Sequence, residues 1–172
     1  QRLDREGSIR LLSELPMHLA KVYCYGSLTG VRENNVIGLR WSQVDSHNKV
    51  IRYETRDMKG NRIHIVPITD EVGALLEMCK GEHKEYVFTY KGKPIGKVSN
   101  TAWYKALDRA SLTGLTFHEA TRHTWASWHA MSGTPLHVLK ELGAWKDMRM
   151  VERYTHLAPE YLAQYAGNSK IR

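Results

Sequence analysis

Apolar residues recur at intervals of three and four positions along most of the chain, which is the spacing of one face of an α-helix. This pattern predicts an amphipathic helix over 4–15 and a second helix over 16–28. Gly30 then stands where a helix commonly ends in a left-handed residue. A further short helix is predicted around 36–39. The front of the chain is therefore expected to be helical.

The pattern changes in the second quarter of the chain, where β-branched and aromatic residues become frequent. The segments 49–55 and 62–68 are predicted strands, and 58–61 joins them as a β-hairpin. The segment 70–79 is predicted to return to a helix, with a capping residue just before it. A third, short strand is predicted over 85–90.

The remainder of the chain again has helical spacing, interrupted by glycine and proline. The helices predicted there cover 99–111, 117–131, 134–143, 148–156 and 159–166. We therefore predict a mainly α fold with a small antiparallel β-sheet, in the α+β class. A length of 172 residues suits a single domain, and a hydrophobic fraction of 42% is typical of globular chains.

The net charge and the cysteine content indicate the kind of partner and the redox compartment of the protein. A net charge of +7, from 25 basic and 18 acidic residues, favours nucleic acid or another polyanion as the partner. Two cysteines are too few for a disulfide scaffold, so a reducing cytosol is expected. The apolar runs are shorter than a membrane span, and no membrane partner is predicted. Because the chain starts at Gln1, in what reads as a linker or first helix, we expect a piece of a longer protein.

Residues 118–124 read HEATRHT, which raises the question of a zinc site. The zinc-protease pattern HExxH places its histidines four residues apart, one helical turn. His118 and His123 are five apart, so on an α-helix their side chains would diverge by about 140°. No metal site is therefore expected. His118 and Arg122 differ by only about 40° around the helix and share a face, which for this pair alone is typical of a solvated charged surface and, together with other segments, would suit an anion.

Four segments, taken in order, resemble the tyrosine recombinases of the phage-integrase family. They are TGVRENNVIGLRWSQVD (29–45), MKGNRIHIVPI (58–68), TFHEATRHTWASWHAMSG (116–133) and TPLHVLKELGAWKDMRMVERYTHLAPE (134–160). The spacing inside the segments also fits, since a lysine precedes a proline by eight residues and a tyrosine follows a tryptophan by nine. The catalytic residues that the resemblance implies are Arg32, Lys59, His118, Arg122, Trp145 and Tyr154.

These residue types suit chemistry on a phosphodiester. Arg32 and Arg122 would bind the phosphate oxygens through their planar guanidinium groups. The resemblance makes Tyr154 the nucleophile, which forms a 3′-phosphotyrosine and releases a 5′-hydroxyl. Lys59 would protonate that leaving oxygen. Trp145 would donate its indole N–H to a phosphate oxygen, because an indole donates and never accepts a hydrogen bond.

Two positions depart from the common family pattern. The histidine usually precedes the arginine by three residues, whereas His118 precedes Arg122 by four and Glu119 takes the usual histidine position. We expect His118 to keep the role, either because it lies before the helix proper or because a one-residue bulge absorbs the extra residue. Asn35 stands where many members carry an acidic residue. His123, which follows the arginine as in the family, is a supporting candidate whose role is left open.

The resemblance implies the catalytic domain of a site-specific DNA recombinase or integrase, which cleaves and rejoins DNA to integrate or excise a prophage or mobile element. Two alternatives stay open. One is a catalytically degenerate integrase that only binds DNA, and the other is DNA relaxation of the type IB topoisomerase kind. No cofactor is implied, because a phosphotyrosine stores the energy of the cleaved bond.

The family also suggests partners and a location. Double-stranded DNA at an attachment-site core would be the substrate, and the full-length protein would act on it as a homo-tetramer, with host DNA-bending and excision factors as further partners. The residues 1–172 would form one catalytic domain, without the family's N-terminal core-binding and arm-binding domains. The cytoplasm of a bacterial host, at the nucleoid, is the expected location. Tyr161 and Tyr165, in the last predicted helix, are expected to be packing residues.

Overall fold

A computed structural model of the protein describes residues 1–57, 60–160 and 162–171. The side chains of 55–61 lie outside this description. The fold is mainly helical with two small antiparallel sheets, which confirms the predicted fold class.

The helices follow the predicted order closely. In the described residues they are α1 (Arg5–Glu14), α2 (Met17–Thr29), α3 (Glu33–Ile37), α4 (Asp70–Cys79), α5 (Thr101–Arg109), α6 (Thr124–Met131), α7 (Leu136–Gly143), α8 (Arg149–Glu152) and α9 (Leu162–Ala166). Two 3₁₀ turns lie at Trp41–Gln43 and Thr155–Leu157, and a π-helical turn lies at Glu119–His123. Two of the predicted helices are therefore interrupted, and both interruptions fall in the segments that resemble the recombinases.

Side-chain caps explain where several helices begin. The Asp4 carboxylate accepts a hydrogen bond from the Gly7 amide at 2.7 Å at the start of α1. The Thr69 hydroxyl caps α4 in the same way. The cap of α5 is Asn100, whose side-chain oxygen accepts from the Trp103 amide, one residue later than the pattern suggested. Each cap satisfies an amide that the helix itself leaves without a partner.

The main sheet is built on the predicted hairpin. Its strands are β1 (Val44–Asp45), β2 (Val50–Asp57) and β3 (Gly60–Pro67), all antiparallel and in that order. The register pairs Tyr53 with His64 in the middle of the hairpin. The strand β3 is an edge strand of this sheet, and it contacts α7.

The predicted strand over 85–90 is wrong for most of its length. Within it, β4 (Thr89–Tyr90) is a strand that pairs with β5 (Lys93–Pro94) in a separate two-stranded sheet, and Tyr86 forms an isolated antiparallel bridge with Arg40. Val87 and Phe88 are buried in the core, which explains their apolar character without a ladder. The third strand of the main sheet is β1, which the pattern did not predict because two residues carry no periodicity.

The core is divided into two clusters of buried side chains. The larger one joins α1, α2, α4, α5 and the hairpin, and the smaller one lies under the C-terminal helices. The smaller cluster consists of Trp125, Ala126, Ala130, Leu139, Trp145, Val151 and Tyr154. Two of its members are candidate site residues, so the same packing that stabilises these helices also positions them. Across the described ranges, no helix has the length and apolar character needed to cross a membrane.

Candidate active site

The Arg122 side chain is buried, with 2% of its surface exposed, and two backbone carbonyls hold it. Its Nη1 donates to the Gly30 carbonyl at 2.9 Å and its Nη2 donates to the Gly143 carbonyl at 2.8 Å. These two carbonyls lie at the ends of α2 and α7, where a helix leaves carbonyls unpaired. Burial and the positive charge of Arg32 lower the pKa of Arg122 to about 10, so its guanidinium stays protonated at neutral pH.

Both carbonyl positions require glycine. Gly30 adopts the left-handed conformation, with φ of 69°, and a Cβ there would lie 2.2 Å from the Trp125 ring. A Cβ on Gly143 would lie 2.1 Å from the Trp145 ring. A clash of this size cannot be relieved without moving a buried aromatic side chain. The two glycines therefore allow the backbone to approach the rings and to present its carbonyls to Arg122.

The Trp145 indole forms one wall around the guanidinium. The Arg122 Cζ atom lies 4.0 Å from the centre of the Trp145 ring, which is close enough for a cation–π contact. Trp145 in turn stacks on Trp125, with ring centres 6.1 Å apart, and it contacts Tyr154 at 6.2 Å. The two hydrogen bonds and the stacking leave other N–H groups of the guanidinium available to a ligand, because arginine has five.

The helix that carries Arg122 is interrupted by the π-helical turn at Glu119–His123. A π turn contains about one residue more than an α turn, and such single turns are the usual way to accommodate an inserted residue. Thr124 stabilises this turn, since its hydroxyl donates to the Glu119 carbonyl at 2.6 Å. The bulge that the spacing between His118 and Arg122 predicts is therefore present.

Glu119 turns away from the other candidate residues and caps the start of its own helix. Its carboxylate accepts hydrogen bonds from the Thr116 amide at 3.3 Å and from the Thr116 hydroxyl at 3.0 Å. The Thr116 hydroxyl also accepts from the Glu119 amide at 3.1 Å, which completes a capping box. The Glu119 carboxylate is thus used for capping, while its negative charge still acts to raise the pKa of His118 and His123.

His118 lies beside the arginines. Partial desolvation lowers the pKa of His118, and the positive charges of Arg122, Arg32 and Arg153 lower it further against the opposing effect of Glu119. The imidazole is therefore held neutral in the absence of an anion. A bound phosphate would reverse part of this effect, since it would offset the neighbouring positive charges.

The Tyr154 side chain, 3% exposed, lies between α8 and the 3₁₀ turn that follows it. The predicted continuous helix over 148–156 is therefore broken next to this residue. Its hydroxyl is hydrogen-bonded to His123 Nδ1 at 3.0 Å. Burial raises the pKa of Tyr154, and the positive charges of Arg153 and Arg122 offset part of that increase.

The π turn also changes the relation between the two histidines. On a continuous α-helix they would diverge, and in this helix the π turn lies between them. Even so, the described residues contain no group of three histidine, cysteine, aspartate or glutamate side chains that could hold a metal ion.

A cavity of about 360 Å³ opens beside Arg32. Arg32, Asn35, Arg62, His64 and Trp145 line it from α3, the hairpin and the end of α7. Among the described residues, the Arg32 carbonyl accepts from the Asn35 and Val36 amides, but its side chain makes no hydrogen bond or ion pair and is exposed. The cavity is therefore an open, positively charged depression next to the buried Arg122.

The comparison with known proteins agrees with this geometry. The model of the phage integrase family matches residues 9–161. The chain belongs to the phage integrase family. It is similar to the integrase of Salmonella phage P22, with 38% identity over 95% of this chain and 46% of that protein. It is also similar to the prophage integrase IntA of Escherichia coli K12, with 27% identity over 88% of this chain and 37% of that protein.

Solved structures of the family share the fold. The catalytic domain of the bacteriophage HP1 integrase matches with a TM-score of 0.74 and 26% identity, over 96% of this chain and 93% of that one. The Tn1549 transposon integrase in complex with a circular intermediate DNA matches with a TM-score of 0.73 and 17% identity, over 98% of this chain and 64% of that one. The chain spans less than half the length of these two curated integrases.

The family fold brings most of the predicted site residues together. Charge interactions and contacts connect Arg32, His118, Arg122, His123, Trp145 and Tyr154, and Asn35 lines the adjoining cavity. Lys59 lies outside the described residues. Tyr161 does as well, and Tyr165, on α9, is 49% exposed. The catalytic roles of these residues remain predictions.

Two residues of this integrase-family site were missed at the level of sequence. Arg153 lies 5.5 Å from the centre of the Tyr154 ring and acts on the pKa of three site residues. His64, on β3, binds the Leu142 carbonyl through Nε2 at 2.8 Å and so joins the hairpin to α7. The position of Arg153 next to Tyr154 was a visible signal, whereas nothing in the hairpin pattern distinguished His64.

The first residues of the chain also reach the site helix. The Leu3 amide donates to the Thr124 hydroxyl at 3.0 Å, and the Trp128 indole donates to the Leu3 carbonyl at 3.0 Å. Because the same Thr124 hydroxyl donates to the Glu119 carbonyl, the segment before α1 is connected to the π turn. The N-terminal segment therefore contributes to the position of the site helix.

Proposed function

We propose that the chain is the catalytic part of a site-specific DNA recombinase of the integrase type, which cleaves and rejoins DNA through a 3′-phosphotyrosine. The single observation that carries this proposal is that the Tyr154 phenol and the buried, carbonyl-held guanidinium of Arg122 both contact the Trp145 ring. A buried cation next to a nucleophilic hydroxyl suits attack on a phosphodiester, whose charge increases in the transition state.

The proposed reaction needs few parts. The Tyr154 oxygen attacks the scissile phosphorus, the bond from phosphorus to the 5′-oxygen breaks, and a 5′-hydroxyl leaves. Arg32 and Arg122 bind the non-bridging oxygens, and the rigid support of Arg122 means that little reorganisation is needed when the charge develops. The reverse step, with a 5′-hydroxyl of the same or a partner strand as the nucleophile, rejoins DNA without an external energy source or a cofactor.

Three further residues have proposed roles in this reaction. Lys59, near the tip of the hairpin in sequence, would supply the proton to the leaving 5′-oxygen. His118 would donate a hydrogen bond to the phosphate, and Trp145 would donate one through its indole nitrogen. Asn35 would position Arg32 or the phosphate from the rim of the cavity. The cavity residue Arg62 is the competing cation from the hairpin.

The spacing between His118 and Arg122 no longer argues for a degenerate enzyme. The π turn absorbs the extra residue, and Glu119 is directed to Thr116 rather than to the arginines. The catalytic alternative is therefore favoured over a protein that only binds DNA.

The first experiment uses the full-length protein with a nicked suicide DNA from the junctions that flank the parent element. A covalent protein–DNA adduct on a denaturing gel is expected, and Tyr154→Phe should abolish it while DNA binding is retained. If the wild type forms no adduct although it binds the DNA, the result would instead support a degenerate integrase. Relaxation of a supercoiled plasmid that lacks the junction sequence would point to topoisomerase activity.

We also propose the family's assembly for the full-length protein, with four copies acting on two double-stranded attachment sites. The helix α9 has no buried residue, and Leu162 on it is 86% exposed, so this helix is available to contact another copy. Further N-terminal DNA-binding domains, host DNA-bending and excision factors, and a location at the nucleoid in bacterial cytoplasm belong to the same proposal. The isolated chain would bind DNA weakly, since part of the phosphate contacts would be absent.

A further inference from the structure

The hydrogen bond between the Tyr154 hydroxyl and His123 Nδ1 has no role in the function proposed above. It is 3.0 Å long, and the two rings are tilted by 45° with their centres 5.4 Å apart. In the described part of the chain, His123 is the side chain that hydrogen-bonds this phenol. The arginines lie near the phenol but cannot accept its proton, because a guanidinium has no acceptor.

A phenol must lose its proton when its oxygen attacks phosphorus. A general base has to lie within about 2.6–3.2 Å of that proton's donor, either directly or through a water molecule. His123 satisfies this condition without any movement of the protein. The Glu119 carboxylate is engaged at the start of its own helix, where Oε1 accepts hydrogen bonds from the Thr116 amide and hydroxyl.

The surroundings keep the His123 imidazole neutral and thus able to accept a proton. Desolvation lowers the pKa of His123, and the positive charge of Arg153 lowers it further, while Glu119 acts in the opposite direction. A neutral ring with its proton on Nε2 presents the lone pair of Nδ1 to the phenol.

The backbone also fixes where this ring lies. His123 is the last residue of the π turn, and the Ser127 hydroxyl donates to its carbonyl at 2.9 Å. The inserted residue that separates His118 from Arg122 is accommodated in the same turn. The turn therefore places His118 beside the arginines and His123 beside Tyr154 at the same time.

We propose that His123 is the general base that accepts the phenolic proton as Tyr154 attacks the DNA. The bond from the Tyr154 oxygen to phosphorus forms, the bond from phosphorus to the 5′-oxygen breaks, and the phenolic proton moves to Nδ1. The leaving 5′-oxygen takes a different proton, from the acid assigned above to Lys59. In rejoining, the imidazolium returns its proton to the tyrosine oxygen as the phosphotyrosine bond breaks. This assignment rests on the proposed recombinase function.

The test measures single-turnover cleavage by the full-length protein on two suicide DNAs. One carries the natural 5′-oxygen and the other a bridging 5′-sulfur, whose thiolate leaves without needing a proton. His123→Ala should reduce the cleavage rate on both substrates by about 10²–10⁴-fold, the range typical of a general base. Lys59→Ala should cleave the oxygen substrate slowly but the sulfur substrate at a rate close to that of the wild type, because the proposed role of Lys59 is to protonate the leaving atom. His137→Ala, an exposed histidine on α7, is the matched control and should leave both rates unchanged.

His123→Asn separates proton transfer from positioning, because its amide oxygen can accept the hydrogen bond but cannot take the proton. The wild-type rate on the sulfur substrate should rise with pH through the lowered pKa of His123 and then level off, and the asparagine variant should lose this inflection. If His123→Asn had the cleavage rate and pH profile of the wild type, the assignment would be overturned. It would also be overturned if His123→Ala cleaved the 5′-sulfur substrate at the wild-type rate. If the wild type forms no adduct at all, the proposed function fails and this assignment fails with it.

Discussion

The Gly30→Ala variant should lose more stability than the backbone conformation alone explains. Gly30 ends α2 with φ of 69°, and an added Cβ would lie 2.2 Å and 2.4 Å from two atoms of the Trp125 ring. Trp125 is 5% exposed and packs against Trp145 and His129, so the ring has little room to move. The same residue supplies one of the two carbonyls that hold Arg122.

The expected loss has two parts. A left-handed conformation costs an L-residue about 1–2 kcal/mol, and overpacking in a well-packed core costs typically about 1–3 kcal/mol. The free energy of unfolding should therefore fall by roughly 2–5 kcal/mol in Gly30→Ala. Gly81 is the matched control, because its φ is 86° but a Cβ there would meet no atom within 4 Å. Gly81→Ala should lose only the backbone part, about 1–2 kcal/mol.

Urea unfolding followed by tryptophan fluorescence measures both losses. The difference between the variants should be about 1–3 kcal/mol, which corresponds to about 2–12 °C in Tm for a chain of this length. DNA cleavage should also fall in Gly30→Ala and stay unchanged in Gly81→Ala, since only the first variant displaces a carbonyl from Arg122. Equal losses of stability in the two variants would refute the idea that the Trp125 ring excludes a side chain here.

Three further predictions concern the site helix and the hairpin. Thr116→Ala removes the capping box and should lower the free energy of unfolding by about 1 kcal/mol in urea; no change would mean that the cap is already satisfied by solvent. Deleting Ala120 should convert the π turn to an α-helix and restore a three-residue spacing between His118 and Arg122, with adduct formation retained; loss of the adduct in a folded variant would contradict this. Burial lowers the pKa of His64, so its neutral form stabilises the fold above about pH 6.5 and this contribution is lost as pH falls through the lower folded-state pKa. His64→Gln should therefore lose less stability than the wild type between pH 7 and pH 5, as measured by urea unfolding at each pH. The same dependence of the unfolding free energy on pH in both proteins would argue against it.

The local elements followed from the sequence because their causes are local. Helical spacing, capping side chains and β-branched segments act within a few residues. The bounds predicted for α1, α2, α4 and the hairpin are therefore close to those in the structure. The strands β1 and β4 have only two residues each, which is too short to show the alternation of apolar and polar residues that predicts a strand. The spacing of His118 and Arg122 showed that one residue was in excess, but only the folded helix showed that a π turn contains it.

The sequence by itself determined which residue types are available for phosphate chemistry, and the order of the family segments determined which of them to examine. It could not determine their contacts, because those join positions far apart in the chain. The carbonyls of Gly30 and Gly143 reach Arg122 from the ends of two helices, and His123 meets Tyr154 across 31 residues. Those contacts depend on how α2, α6 and α7 pack around the tryptophan cluster, and packing of that kind is decided only when the whole chain is folded.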